Sequence, residues 1–200
     1  MLETFLSAPI PQERLRAELD RAIAKLVART DRAAEGLAPT QLFWRPPRGG
    51  WSVAEVFEHL VLANESYLVR VRALLSAAAP PAAPPGRWRA SLAGGLLVRS
   101  FASRRRFPAP RLYRPGPAPR AHVLAAFAGT LRELARLMES AAPLDWRRVR
   151  TTSPVARIVR INLGDCFVIV VRHAERHFRQ IERLRVAWQA ARLSGTSAGT

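Results

Sequence analysis

A seam of residues spaced alternately three and four apart runs through the last quarter of this sequence. It comprises Leu163, Cys166, Val170, His173, His177, Gln180 and Leu184. This spacing follows one face of an α-helix and is typical of a face that packs into a helical core. His173, His177 and Gln180 stand where such a core normally holds apolar residues. The sequence therefore predicts a helix, from near residue 162 to beyond residue 188, that carries polar side chains into the protein interior.

Three further segments show helical periodicity and complete a predicted set of four helices. The first covers residues 11–35, with apolar residues at intervals of three and four. The second covers residues 52–76 and begins with Ser52 followed by Glu55, the spacing of a capping box. The third covers residues 120–140. The predicted fold class is therefore all-α.

The connection between the second and third predicted helices differs from the rest of the chain. Residues 77–118 are rich in proline and arginine, and only residues 92–103 within them favour a short helix. Such a connection is too long for a tight turn but long enough to recross a helical bundle. We therefore expect the second and third helices to run roughly parallel.

The length and composition suit one domain. A chain of 200 residues with 48% hydrophobic residues is of ordinary domain size and can bury a continuous core. We expect residues 1–193 to form a single four-helix domain with 77–118 as a crossover insert. Residues 37–50 and 141–160 are predicted loops, and residues 194–200 a flexible tail.

The sequence also indicates a compartment. No apolar run approaches the roughly 18 residues of a membrane-spanning helix. The N-terminus lacks a basic segment followed by an apolar one, so we expect no signal peptide. Cys166 is the only cysteine, which excludes a disulfide framework within the chain. We expect a cytoplasmic protein without a membrane partner.

The histidines of the seam suggest a metal site. His173 and His177 are four residues apart, so both face the same side of their helix and can share one ion. Buried imidazoles need polar partners, and His59, on the core side of the second helix, is the natural third ligand. The alternative is a set of solvated or hydrogen-bonded histidines. Glu175 falls on nearly the opposite face and is no candidate general base, whereas His122 suits a capping or exposed position.

Three neutral imidazoles leave coordination positions open, which is the pattern of a catalytic site. Imidazole ligands suit zinc, nickel, iron and copper, so the identity of the metal stays open. Asn64, Tyr67 and Gln180 are the nearest polar residues by helical spacing. They could orient a substrate or the ligands, and packing in the core is an equal alternative. Cys166 should lie about 10 Å from the site along the helix and serve in packing.

The net charge of +17 raises a second hypothesis, a binding module for nucleic acid or another polyanion. Arginines alternate with aromatic residues in several places: Arg87-Trp88-Arg89, Arg104-Arg105-Arg106, Arg111, Arg114 and Trp146-Arg147-Arg148. Such a surface could bind phosphates and stack on bases. However, Lys25 is the only lysine, and a GC-rich codon usage would also produce this arginine excess. We therefore do not expect nucleic acid to be the partner.

Two motifs carry a resemblance to a known family. The first is the pair Trp51-Ser52 leading into a helix with His59-Leu60. The second is Leu163-Gly164-Asp165 followed by His173-Ala-Glu-Arg-His177 and Gln180-Ile181. Together, in this order, they resemble the DinB/YfiT-like superfamily. The resemblance implies a four-helix bundle with up-down-down-up connections and one divalent metal on His59, His173 and His177.

The resemblance says less about activity. Some members of that superfamily are thiol-dependent transferases or isomerases that use bacillithiol or mycothiol, and many have no known reaction. We expect a metal-dependent transferase or hydrolase for a small molecule, with zinc, nickel or iron and a low-molecular-weight thiol as cosubstrate. A bundle that keeps its ligands without a reaction, and a homodimer, both stay open. The roles of residues 77–118 and of the basic surface lie outside the resemblance.

Overall fold

The computed structural model describes residues 8–77, 85–103, 108–156 and 158–196, and most of these residues lie in helices. The helices are α1 (Gln12–Gly36), α2 (Pro39–Leu42), α3 (Val53–Ala77), α4 (Leu92–Ala102), α5 (Val123–Ser140) and α6 (Leu163–Thr196). The strands are β1 (Ile10–Pro11), β2 (Arg87–Trp88), β3 (Arg150–Thr152) and β4 (Arg160–Asn162). The mostly helical class predicted from the sequence is confirmed.

The four long helices share one hydrophobic core. Helices α1 and α3 each pack against both α5 and α6, and α4 lies on α6. Phe57 of α3, Phe127 of α5 and Phe178 of α6 meet in this core, with ring centroids 5.4–6.1 Å apart. All three rings are at most 2% exposed. Aromatic groups with this spacing gain favourable edge contacts in addition to burial, so they fix how the helices pack.

The predicted capping box starts α3. The backbone N–H of Ser52 donates to Glu55 Oε2 at 2.9 Å, and the N–H of Glu55 donates to Ser52 Oγ at 3.2 Å. Arg45 donates to both carboxylate oxygens of Glu55, at 2.9 and 2.6 Å. The loop before α3 is thereby tied to the start of the helix. This loop also contains the short α2, which begins at Pro39 and was not expected.

A second reciprocal cap starts α6. Asn162 Oδ1 accepts from the N–H of Asp165 at 2.8 Å, and Asp165 Oδ2 accepts from the N–H of Asn162 at 2.9 Å. The indole N–H of Trp88 donates to the same Asn162 Oδ1 at 2.9 Å. Trp88 packs against Gly164, where a Cβ would lie 2.1 Å from the indole nitrogen. The segment before α4 therefore docks on the first turn of α6.

Three boundaries differ from the predictions. Residues 141–160, predicted as a loop, contain β3 and lead into β4, which pairs with it antiparallel. The third predicted helix begins at Val123 rather than near Arg120, because His122 adopts a left-handed conformation with φ of 54°. Helix α6 continues to Thr196, so the predicted tail is helical at its start, and residues 197–200 lie outside the described part.

The described parts of the long connection, residues 85–103 and 108–118, contain more regular structure than their composition suggests. It contains β2, the predicted short helix as α4, and a turn of 3-10 helix at Arg111–Tyr113. Strand β2 pairs antiparallel with β1 at the start of the chain. Among the described helices, none has the length and apolar character that a bilayer crossing requires.

Candidate metal centre

The three histidines predicted as ligands converge on one point. His59 projects from α3, and His173 and His177 project from α6. The Nε2 atom of His173 lies 3.2 Å from Nε2 of His59 and 3.1 Å from Nε2 of His177. One nitrogen from each residue falls within 4.8 Å of the others. The three residues singled out in the sequence thus form one cluster, which the packing of α3 on α6 assembles.

Hydrogen bonds at Nδ1 fix the tautomer of two of the imidazoles. His59 Nδ1 lies 2.7 Å from the backbone oxygen of Tyr113, and His177 Nδ1 lies 2.8 Å from Gln180 Oε1. Both oxygens accept hydrogen bonds, so each Nδ1 carries the proton. The lone pairs on Nε2 of His59 and His177 consequently point to the centre of the cluster. This second hydrogen bond is the usual support of a metal-binding histidine.

The donor set fits a metal ion better than a hydrogen-bonded network. A proton on His173 Nε2 could serve only one of its two neighbours well, and the remaining nitrogens would face each other as acceptors. Nitrogen ligands about 2.0–2.1 Å from a tetrahedral zinc ion lie about 3.3–3.4 Å apart. The two separations that involve His173, 3.2 and 3.1 Å, are close to that value, and the third pair lies within 4.8 Å. These residues therefore fit a divalent cation.

The electrostatics keep the imidazoles in the neutral form that binds metals. Burial, followed by the nearby His59, lowers the pKa of His177 from 6.5 to about 3. Burial and the other two histidines hold the pKa of His173 well below its ordinary value. Burial also lowers the pKa of His59, against the opposing hydrogen bond to Tyr113. All three rings are therefore held neutral at neutral pH, and Nε2 of His59 and His177, whose protons lie on Nδ1, can bind a metal without losing a proton.

Aromatic rings cover the cluster on two sides. The Phe101 ring, from the long connection, lies 5.1 Å from the His173 ring, and the Trp51 ring lies 5.0 Å from His59. Arg179 donates to the backbone oxygen of Phe101 at 2.9 Å and holds it against α6. His59 and His177 are only 3% and 9% exposed. His173 is the most exposed of the three and is half-buried.

Of the other predicted site residues, Gln180 contacts a histidine of the cluster, whereas Asn64 and Tyr67 pack elsewhere. Gln180 is the hydrogen-bond partner of His177. Asn64 donates to Thr130 Oγ1 of α5 at 2.8 Å. Tyr67 is 4% exposed, and its hydroxyl lies near Ser153 without a hydrogen bond of good geometry. For Asn64 and Tyr67, packing inside the core is therefore the better interpretation.

Two further predictions concern residues outside the cluster. Cys166 is fully buried, and burial raises the pKa of its thiol to about 12, so it packs in the core as expected. His122 is exposed at the start of α5, where its side chain makes no capping hydrogen bond. Within the described residues, the group that could hold a metal contains His59, His173 and His177 and no fourth histidine, cysteine or carboxylate.

Sequence reasoning missed Tyr113 and Phe101. Tyr113 acts through its backbone oxygen, so its residue type carries no signal. Phe101 lies within the predicted short helix, and only the packing of α4 on α6 brings it to His173. The predicted surface of alternating arginine and aromatic residues needs correction, because Trp88 and Trp146 are 1% and 0% exposed and cannot stack on bases. Arg104, Arg105 and Arg106 lie outside the described residues.

The chain is mostly helical, and imidazoles from two of its helices converge on one point. These two features define a helical protein with a candidate three-histidine metal centre. Comparison with known families is specific: the model of the DinB superfamily matches residues 14–181. The match covers α3, the connection between α3 and α5, and α6 as far as Ile181, and the chain belongs to the DinB superfamily. No curated protein and no solved structure matches the chain.

Proposed function

We propose that this protein is a metal-dependent enzyme whose single divalent ion is bound by His59, His173 and His177. One observation carries the proposal. Nδ1 of His59 and Nδ1 of His177 each donate to a fixed hydrogen-bond acceptor. Nε2 of His173 lies 3.2 Å from Nε2 of His59 and 3.1 Å from Nε2 of His177. This arrangement turns the lone pairs of His59 and His177 toward His173, and a cation among the three nitrogens would satisfy both, whereas a proton on His173 would satisfy only one.

We further propose that α1, α3, α5 and α6 form a four-helix bundle with up-down-down-up connections. Each of these helices packs against two others of the set, as expected for a closed bundle. The residues between α3 and α5 form the long crossover that lets these two helices run parallel. The ligands then come from α3 and α6, two helices that pack directly against each other.

The residues around the ligands orient them and keep water away. Tyr113 and Gln180 hold the rings of His59 and His177 by their Nδ1 protons. Trp51 and Phe101 cover the apolar faces of His59 and His173. A divalent ion held here would act as a Lewis acid and lower the pKa of a water or thiol that binds to it. Three protein ligands leave room for such a group.

The reaction class follows from the nucleophiles that the chain can offer. Cys166 is the only cysteine, and it is buried with a raised thiol pKa, so the protein supplies no reactive thiol of its own. In the proposed reaction the nucleophile is water or, as in some members of the superfamily that the sequence resembles, a thiol that enters with the substrates. We therefore propose a hydrolase or a transferase that uses a low-molecular-weight thiol, acting on a small electrophilic molecule.

The first test concerns the metal. Untagged full-length protein should contain about one divalent ion per chain by elemental analysis, as a three-histidine site implies. The double variant His173→Ala/His177→Ala should contain none. His122→Asn removes the one histidine outside the cluster, and asparagine tolerates its positive φ, so it is the matched control. Equal zinc or nickel binding by the double variant and the control would exclude the site.

The second test concerns catalysis. Metal-loaded protein is screened for thiol conjugation and for hydrolysis of model electrophiles and esters. A turnover found in this way should disappear in His59→Ala and persist in His122→Asn, with both variants folded by circular dichroism. Turnover that is equal in His59→Ala and the wild type would remove the metal from the mechanism. A metal that binds stoichiometrically without any turnover across the screen would favour a binding role.

A further inference from the structure

The structure contains a cluster of arginines that lies apart from the metal centre. A cleft of about 610 Å³ opens beside β2 and the segment that leads into β3. Its lining consists of Gly86, Arg87, Asp145, Arg147, Arg148 and Arg150. The volume lies within the roughly 300–1,000 Å³ typical of small-molecule sites. The lining has no apolar side chain, so the cleft is unsuited to an apolar ligand.

The charge of this cleft is unbalanced. Four arginines line it with the single carboxylate of Asp145, which leaves a local excess of three positive charges. Some surface arginines elsewhere have acidic partners, as Arg72 has Glu133 and Arg120 has Glu58 and Glu65. Of the four arginines in the cleft, Arg148 has such a partner in the described part of the chain, Asp145 at 3.5 Å. An anion in the cleft would relieve the repulsion among these charges.

The backbone that carries these arginines is fixed before any ligand arrives. Asp145 Oδ1 accepts from the N–H groups of Arg147 and Arg148, at 2.9 and 3.2 Å, and shapes the turn. Arg150 lies in β3, which is paired with β4. Arg87 lies in β2, which is paired with β1. Binding would therefore cost little entropy in ordering the segments that contact the ligand.

We propose that this cleft binds a small anion that carries more than one phosphate group. Guanidinium groups bind phosphate oxygens with paired, charge-assisted hydrogen bonds, and several of them on separate segments suit several phosphates. The cleft offers no aromatic surface for a base, because the neighbouring Trp88 and Trp146 are buried. A single-stranded nucleic acid, which binds through base stacking as well as charge, is therefore the poorer fit.

The cleft is separate from the histidines. Arg150 is paired with Asn162 at the start of α6, and His173 lies 11 residues further along that helix. At 1.5 Å per residue, the two sites are about 16 Å apart along the axis. A ligand of the cleft consequently does not replace the ligands of the metal.

The test uses inorganic tripolyphosphate and orthophosphate as probes, titrated into the full-length protein by calorimetry. Tripolyphosphate should bind more tightly than orthophosphate, and the affinity should fall between about 50 and 300 mM NaCl because salt screens exposed charges. The variant Arg147→Gln/Arg150→Gln should weaken tripolyphosphate binding by about tenfold or more. The matched control Arg132→Gln/Arg136→Gln removes the same charge from α5 and should change the affinity by less than about twofold.

Three outcomes would overturn the proposal. Equal losses in the two arginine variants would show that net charge alone attracts the anion. Binding that disappears in His173→Ala/His177→Ala would assign the probe to the metal centre. Tight binding of a single-stranded oligonucleotide, sensitive to Arg147→Gln/Arg150→Gln, without binding of tripolyphosphate, would assign the cleft to nucleic acid.

Discussion

The side-chain oxygen of Gln180 lies 2.8 Å from Nδ1 of His177, one helical turn earlier on α6. The two residues belong to the same seam, so the helix itself sets this distance. Because the amide oxygen accepts the Nδ1 proton, Nε2 of His177 is left as the donor atom for a metal. Gln180 therefore acts through His177 and not by contact with the ion.

Replacing Gln180 with alanine should weaken metal binding while the protein stays folded. Loss of the hydrogen bond frees the ring to rotate and to exchange tautomers, and such partners usually contribute about 10–100-fold to metal affinity. Competition with a coloured chelator measures the change. Gln189→Ala, at an exposed position on the same helix, is the matched control and should bind like the wild type. Unchanged affinity in Gln180→Ala would mean that the ring is held by packing alone.

The metal-free protein should lose stability as the pH falls below about 6.5. The pKa of His177 is lowered by burial to about 3 in the folded state, so between these values only the unfolded chain binds the proton. The stabilisation from neutral His177 is complete above its ordinary pKa of 6.5 and is lost as the pH falls toward 3. Each such histidine adds a slope of at most about 1.4 kcal/mol per pH unit.

Urea denaturation in chelator, at several pH values between about 5 and 7, measures this slope. His177→Asn should show a shallower dependence on pH than the wild type. His59 on α3, and His173, Arg176 and Arg179 on α6, remain in the variant, so the difference reports His177. Identical slopes in His177→Asn and the wild type would contradict a buried neutral imidazole at this position.

Replacing each of two glycines with alanine should change the free energy of unfolding in opposite directions. A Cβ on Gly164 would lie 2.1 Å from the indole nitrogen of Trp88, which is buried and bonded to Asn162. Gly164→Ala should lower the free energy of unfolding by about 2–3 kcal/mol, since the indole must move and its hydrogen bond is strained. A Cβ on Gly129, inside α5, would meet no atom within 4 Å, so Gly129→Ala should add about 0.5–1 kcal/mol. Chemical denaturation of both variants checks the pair.

The sequence predicted the long helices and the three histidines because that information is local. The spacing of His173 and His177 on one helix, and the capping box of Ser52 and Glu55, each involve residues within one helical turn. His59 could be predicted as the third metal ligand because its side of α3 is apolar, and a metal held by His173 and His177 needs a ligand from a facing helix. Periodicity placed these residues on core-facing sides, and the need of buried imidazoles for partners, together with the resemblance to the DinB/YfiT-like superfamily, joined them into one predicted site.

The parts that sequence missed depend on contacts between distant segments. The oxygen of Tyr113 reaches His59 across 54 positions, and any residue type has such an oxygen. Trp88 and Asn162 are 74 positions apart, and neither shows its partner in the sequence. Strands β3 and β4 have three residues each, too few for an alternating pattern to stand out. The burial of Trp88 and Trp146, which removed the expected stacking surface, follows from these same long-range contacts.

Cys166 should be chemically inert in the folded protein. It is fully buried, and burial raises the pKa of its thiol to about 12, so almost no thiolate forms at neutral pH. Iodoacetamide should modify it only after denaturation. Cys166→Ala should keep the full metal content and lose about 1 kcal/mol of stability from the small cavity. Rapid labelling of the native protein, or loss of metal in this variant, would place the thiol at the site.

Phe101 should control how fast the metal leaves. Its ring lies 5.1 Å from the ring of His173, the most open ligand, and Arg179 holds its backbone to α6. Phe101→Ala removes the cover without touching a ligand atom, so chelator should extract the metal several-fold faster while the equilibrium affinity changes little. Leu96→Ala, at a position of α4 that is 68% exposed, is the matched control and should release metal at the wild-type rate. Equal release rates in both variants would mean that solvent reaches the histidines by another side, and the role of the connection as a cover would be wrong.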